Sequence, residues 1–204
     1  MMHLQIARVV AACVVAGVIS VGFGCKSSPD SKQTADSMNT FGVEIAKTKD
    51  AIDGSVKALE VVVASDAAAI KGNVESYSKA VGNLDKQAKV VRARANEMKA
   101  IGDEFFKDWE ASEEVSKEKR AELNASYKRI KEEMAVAKES FTPFLASMKD
   151  IDAYLKLDPT LTGIGSMEAL VRKANESGAQ VKMHIDAVLT QVNSVRGMLP
   201  KKKD

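Results

Sequence analysis

The apolar and small residues of this chain recur at alternating spacings of four and three positions over most of its length. In the clearest stretch this repeat runs without interruption from Ile70 to Trp109. Two further stretches show it from Leu123 to Leu155 and from Ile164 to Leu199, and a weaker one runs from Met38 to Val62. A heptad repeat of this kind buries one narrow stripe of a helix against a partner helix. The pattern predicts four long α-helices.

Capping residues mark the short connections between these stretches. Ser65 and Asp66 offer an N-cap for the second helix, and Ser116 offers one for the third. The fourth helix begins either at Asp158-Pro159 or at Ser166. Because short connections make consecutive helices antiparallel, the predicted fold class is all-α. We expect an elongated antiparallel helical bundle or coiled coil of about four long helices.

The hairpin between the second and third helices has a predictable register if it turns near Ser116. Facing positions then belong to the apolar stripes of both helices. The expected pairs are Phe105 with Tyr127, Met98 with Met134, Val91 with Phe141, and Tyr77 with Leu155.

An apolar run precedes the helical stretches and ends at a cysteine. Arg8 is followed by the run from Val9 to Gly24, and a polar segment begins after Cys25. The run is shorter than the roughly 20 residues that a spanning helix needs. A positive start, a short apolar stretch and a small residue at the cleavage point are typical of a secretory signal peptide. We interpret residues 1–24 as a lipoprotein signal peptide and Cys25 as the lipid-accepting residue.

The recognition site at this cysteine departs from the usual lipoprotein pattern of one aliphatic and two small residues. Gly22 stands where the aliphatic residue is expected, and Phe23 is bulkier than usual. The residues before Cys13 match the lipoprotein pattern more closely, but too few apolar residues lie between Arg8 and Cys13 to form a signal peptide. Cleavage to a soluble periplasmic form and an uncleaved anchor remain alternatives to lipidation of Cys25.

The signal peptide sets the expected domain organisation and location. Residues 25–37 form a flexible tether, residues 38–199 the helical-bundle domain, and residues 200–204 a basic tail. A lipidated Cys25 would attach the chain to a membrane. We expect a location in the cell envelope on the periplasmic face. The residue after Cys25 is Lys26, whereas lipoproteins retained in the inner membrane commonly have aspartate at this position. This difference favours the outer membrane.

Composition argues against several classes of function. Lys and Arg total 30 and Asp and Glu 28, so no strong positive charge points to nucleic acid. The two histidines, His3 and His184, cannot supply a metal or nucleophile site, because His3 lies in the signal peptide. No glycine-rich phosphate loop is present. We therefore predict no catalytic, cofactor-binding or metal-binding residues, and no enzymatic activity.

Aromatic residues gather near the predicted tip of the hairpin. Phe106 and Trp109 are candidate contacts for a partner protein of the envelope, since tryptophan is favoured at binding hot spots. The alternative is that Phe105 and Trp109 cap the core while Phe106 flanks it. A heptad stripe packs equally well against a helix of the same chain and against a second copy of the chain, so the pattern leaves both a monomer and a homo-oligomer open.

The aromatic segment and several later residues resemble the DUF2959 family of bacterial envelope proteins. The similarity covers roughly Thr40 to Leu199 and is carried by Phe105–Glu110, Tyr127, Met134, Pro143–Leu145 and Tyr154–Leu155. It implies a long helical bundle in a lipoprotein or periplasmic protein, and it brings no catalytic residues. Where the family tends to carry a His-Asn stretch after the Tyr-Leu pair, this chain has Lys156–Pro159.

Together these observations predict a lipid-anchored structural or scaffolding bundle on the periplasmic face of the envelope. The alternative is a partner-binding adaptor or a ligand-binding helical module. Thr48 and Ser55 on the weak first stripe suggest that the first helix leaves a face open for such a ligand.

Overall fold

A computed structural model describes residues 30–111 and 116–200 of the chain. This part is helical: α1 spans Ser31–Val63, α2 Ile70–Ala111, α3 Lys117–Leu157, α4 Leu161–Gly165 and α5 Glu168–Met198. The four long helices α1, α2, α3 and α5 form a bundle in which α1 and α3 each contact both α2 and α5. The predicted all-α bundle is confirmed.

Two helix starts differ from the sequence predictions. α1 begins at Ser31 rather than Met38, so the later part of the expected tether is helical. The Asp30 side chain caps this start by accepting from the backbone N–H of Gln33 at 2.8 Å, and Thr34 extends the buried stripe. The fourth stripe is divided, because Thr160 caps the short α4 before α5 begins at Glu168.

The predicted stripes form one continuous hydrophobic core. Even the weak first stripe is buried from Met38 to Val62, and the fourth is buried from Ile164 to Leu199. In the second and third stripes five predicted core residues are only half-buried: Val91, Ala95, Trp109, Met134 and Phe141. Four of these five lie in one region between α2 and α3.

Polar contacts show that α1 and α5 are antiparallel. Lys49 forms an ion pair with Asp186 at 2.7 Å, and Arg196 donates to the side chain of Asn39. The beginning of α1 therefore lies beside the end of α5. Pro200 lines the same surface depression as Trp109, so the end of the α2–α3 hairpin lies at this end of the bundle too. The connections between α1 and α2 and between α3 and α5 lie at the opposite end.

The α2–α3 hairpin has a register close to the predicted one. Ser78 of α2 donates to Asp152 of α3, two positions from the predicted alignment, whereas the long Tyr77 side chain reaches beyond its expected partner Leu155 and donates to the backbone carbonyl of Met148 at 2.8 Å. At the other end of the hairpin the ring of Tyr127 stacks on Phe106, with centroids 4.2 Å apart, whereas Phe105 was the expected partner. Phe105 instead packs against Trp109, with ring centroids 5.8 Å apart.

An ion pair within this hairpin predicts a pH dependence of stability. The Asp85 carboxylate accepts hydrogen bonds from Lys149 and Lys89, in that order of importance, and these lower its pKa from 3.8 to about 2. The folded-state pKa lies below the unfolded value. The resulting stabilisation is therefore present at neutral pH, and it is lost as the pH falls from about 4 through about 2.

We expect Asp85→Asn to lower the free energy of unfolding by about 1 kcal/mol at pH 7, a value discounted because the side chain is 22% exposed. The difference from wild type should shrink as the pH falls and disappear below about pH 2. Urea unfolding at several pH values measures it. Asp50→Asn is the control, since Asp50 is exposed and forms no ion pair with the described residues. The same pH profile in both variants would contradict the assignment.

Candidate functional site

A groove of about 440 Å³ opens on the bundle surface where α2 and α3 separate. Its walls are the α2 segment from Ala88 to Lys99 and the α3 segment from Lys131 to Thr142. Phe41, Ile45 and Ile185 of the other two long helices are buried and form its floor. The groove exposes four of the five half-buried core residues to solvent, and its volume lies in the range of small-molecule pockets.

Small side chains at matching positions explain why the groove exists. Three alanines occupy stripe positions in the groove walls: Ala88 and Ala95 in α2, and Ala137 in α3. Facing alanines leave space that the longer side chains of Val91 and Phe141 do not fill. Protein interiors are otherwise packed to the density of organic crystals, so a gap in a continuous core is a distinct feature.

The polar group on the floor of the groove already has a partner. The hydroxyl of Thr48 donates to the backbone carbonyl of Glu44 at 3.0 Å, and that of Ser55 donates to Ile52 at 2.8 Å. Thr48 and Ser55 are 2% and 0% exposed. The first helix is therefore not open along its whole stripe: α2 and α5 cover most of it, and the opening lies between α2 and α3, with Phe41, Ile45 and Thr48 of α1 beneath it.

Four cationic side chains surround the mouth of the groove. Arg92 and Lys99 come from α2, and Lys131 and Lys138 come from α3. The groove lining contains neither aspartate nor glutamate. Lys131 forms an ion pair with Asp103 at 3.0 Å, whereas the other three form no ion pair with any residue that the structure describes. The groove therefore combines an apolar interior with a cationic rim.

The heptad pattern does not predict this groove. Its one sequence signal is the coincidence of alanines on two facing stripes with lysine or arginine beside them. The heptad pattern treats Ala and Leu alike as apolar, so it predicts which residues face each other but not whether they fill the space between them.

The two aromatic residues proposed as partner contacts have different surroundings. Phe106 is only 5% exposed, because its ring lies against Tyr127, so little of this side chain lies at the surface, and its role as a partner contact stays a prediction. Trp109 is half-buried and lines a surface depression with Leu123 and Pro200. Its indole Nε1 is buried without a hydrogen-bond acceptor among the described residues. Trp109 alone retains the geometry of a candidate contact.

The predicted lipidation site, Cys25, lies outside the described residues, as do the predicted signal peptide and the last four residues of the predicted basic tail. Over residues 30–111 and 116–200, no helix is long and apolar enough to cross a membrane. The same part of the chain contains no group of three or more His, Cys, Asp or Glu side chains arranged to hold a metal ion.

The fold defines the class of this protein as an all-α bundle of four long helices with a surface groove. The chain belongs to the family described as Protein of unknown function (DUF2959), whose model matches residues 42–195. The predicted family membership is thereby confirmed. The matched range includes both walls of the groove. No curated protein and no solved structure gives a significant match to the chain.

Proposed function

We propose that this protein is a lipid-anchored structural element of the bacterial cell envelope, with a non-enzymatic role on the periplasmic face. The lipid on Cys25 would hold one end of the bundle at the membrane. The rest would extend outward as a rod of about 60 Å, the length of a 42-residue helix. Such a rod would act as a spacer or scaffold between the membrane and another envelope component.

The observation that carries this proposal is the placement of the chain ends. α1 begins at Ser31, six positions after Cys25, so a lipid on Cys25 would lie close to the first turn of the bundle. The end of α5 lies at the same end, as the contact between Arg196 and Asn39 requires. Three lysines, Lys201 to Lys203, follow Pro200 in the sequence. Lysines near a membrane surface are attracted to anionic lipid headgroups, which would add to the anchoring at this end.

Replacement of Cys25 tests the anchor. We expect Cys25→Ser to move the protein from the membrane fraction to the soluble periplasmic fraction, because lipid attachment requires the thiol. Immunoblots of separated fractions measure the shift, and density-gradient separation of the two membranes tests the preference for the outer one. Cys13→Ser is the matched control and should leave the protein in the membrane. Membrane retention of Cys25→Ser, or release of both variants, would contradict the proposal.

A further inference from the structure

We propose that the groove between α2 and α3 binds a fatty acid, with the alkyl chain in the apolar interior and the carboxylate between cations at the rim. This inference does not depend on the lipid anchor. It is based on the position of the rim cations, the size of the groove and the small number of neutral polar groups in its lining.

The helix register places the rim cations opposite each other in like-charged pairs. Hydrogen bonds between α2 and α3 fix the register on both sides of the groove, from Ser78 to Asp152 and from Tyr127 to Asp103 at 3.0 Å. Counting inward from either contact gives the same alignment. It sets Arg92 opposite Lys138, and Lys99 opposite Lys131.

Facing like charges are unfavourable unless an anion lies between them. A carboxylate between Arg92 and Lys138 would add two attractions at shorter distances, which together outweigh the repulsion between the two cations. Asp103 already supplies this compensation to Lys131. No acidic residue of the lining does so for the pair formed by Arg92 and Lys138.

The size of the groove fits one alkyl chain. A water molecule occupies about 30 Å³ of the liquid, and a methylene group is of similar size, so the groove holds roughly a dozen methylene groups. Its interior surfaces come from Val91, Met134 and Phe141, with Phe41 and Ile45 beneath them. Burying methylene groups on such a surface removes them from water and favours binding of the alkyl chain.

The rim favours a small anionic headgroup. Asn96 and Thr142 are the neutral polar side chains of the lining apart from the buried Thr48. Two such groups provide few hydrogen bonds to a sugar or a glycerol. A carboxylate needs none beyond those from the guanidinium of Arg92 and the ammonium of Lys138. A single-chain fatty acid is therefore the occupant that best fits both the interior and the rim.

The test is calorimetric titration of the full-length protein with dodecanoate below its micelle concentration. We expect one molecule to bind per chain, and affinity to fall as salt is added, because exposed charges are screened. Dodecanol and dodecyltrimethylammonium carry the same chain without the negative charge and should bind at least about tenfold more weakly. Equal binding of dodecanol, or no binding of dodecanoate, would overturn the proposal.

Paired variants test the position of the site. Arg92→Gln combined with Lys138→Gln should weaken dodecanoate binding about tenfold. The control is Lys86→Gln combined with Arg129→Gln, which removes the same charges from exposed positions outside the groove. Equal weakening by both pairs would show attraction by net charge alone and overturn the proposal.

Filling the groove provides a second test, independent of charge. Ala95→Met should place a longer apolar side chain in the interior and weaken dodecanoate binding by about tenfold, with thermal unfolding confirming that the variant folds. Unchanged affinity in a folded Ala95→Met protein would overturn the proposal. So would tighter binding of a lysophospholipid with the same alkyl chain, because it would identify a larger headgroup as the ligand.

Discussion

Phe144→Ala is expected to lower the free energy of unfolding by about 4 kcal/mol, the largest effect of any single substitution considered for this bundle. The Phe144 side chain is 1% exposed and lies in α3 against α5. Its removal withdraws apolar surface and leaves a cavity that long packed helices cannot close completely. Urea denaturation followed by circular dichroism measures the loss.

The cavity lies beside Gly178 of α5, which allows a second-site test. A Cβ atom built on Gly178 would be 3.2 Å from the Phe144 ring and 3.3 Å from Val56. Gly178→Ala alone should therefore lower the free energy of unfolding by about 1 kcal/mol, although alanine has the better helix propensity. When Phe144 is also alanine, the crowding from its ring disappears. The double variant should then be about 1 kcal/mol more stable than the two single effects predict.

Gly54→Ala is the control for this cycle, because no atom lies within 4 Å of a Cβ placed there. It should combine additively with Phe144→Ala. Additivity of Gly178→Ala with Phe144→Ala would contradict the direct packing of the two residues.

Gly102→Ala has the second largest expected effect, a loss of about 2 kcal/mol in the free energy of unfolding. A Cβ atom there would be 2.5 Å from the hydroxyl oxygen of Tyr127 and 2.7 Å from its Cζ atom. The ring cannot withdraw freely. It stacks on Phe106, and its hydroxyl bonds to Asp103 at 3.0 Å and to the carbonyl of Lys99 at 3.2 Å.

A glycine in the same helix provides the matched control. Gly82 has no atom within 4 Å of a built Cβ, so Gly82→Ala should raise the free energy of unfolding by about 0.5–1 kcal/mol through helix propensity alone. The two substitutions are chemically identical and should have effects of opposite sign. Stabilisation by Gly102→Ala would mean that Tyr127 does not lie against this glycine.

The helices could be predicted from the sequence because one physical rule governs most of the chain. An apolar side chain at a stripe position faces the neighbouring helices and is buried. The first stripe is buried throughout, from Met38 to Val62, although Thr48 and Ser55 interrupt its apolar pattern. Both hydroxyls bond to their own helix, which lets the stripe tolerate them.

Two features depended on information that the pattern lacks. Gln87 of α2 bonds to Glu44 of the antiparallel α1, and this alignment places Ser31, the first residue of α1, near position 100 of α2. At the hairpin end α2 therefore extends beyond the start of α1. With α1 absent from this end, Phe106 at the flank of the stripe turns toward Tyr127 and is buried. The groove depends on side-chain volume, which a pattern of apolar and polar residues does not record.

The mass of the N-terminal peptide tests whether a lipid on Cys25 attaches this bundle to a membrane. The protein is purified from membranes, digested and analysed by mass spectrometry. We expect the first peptide to begin at Cys25 and to carry a thioether-linked diacylglycerol and an amide-linked acyl chain. A first peptide with an unmodified Cys25 thiol, or one that still contains residues 1–24, would contradict it.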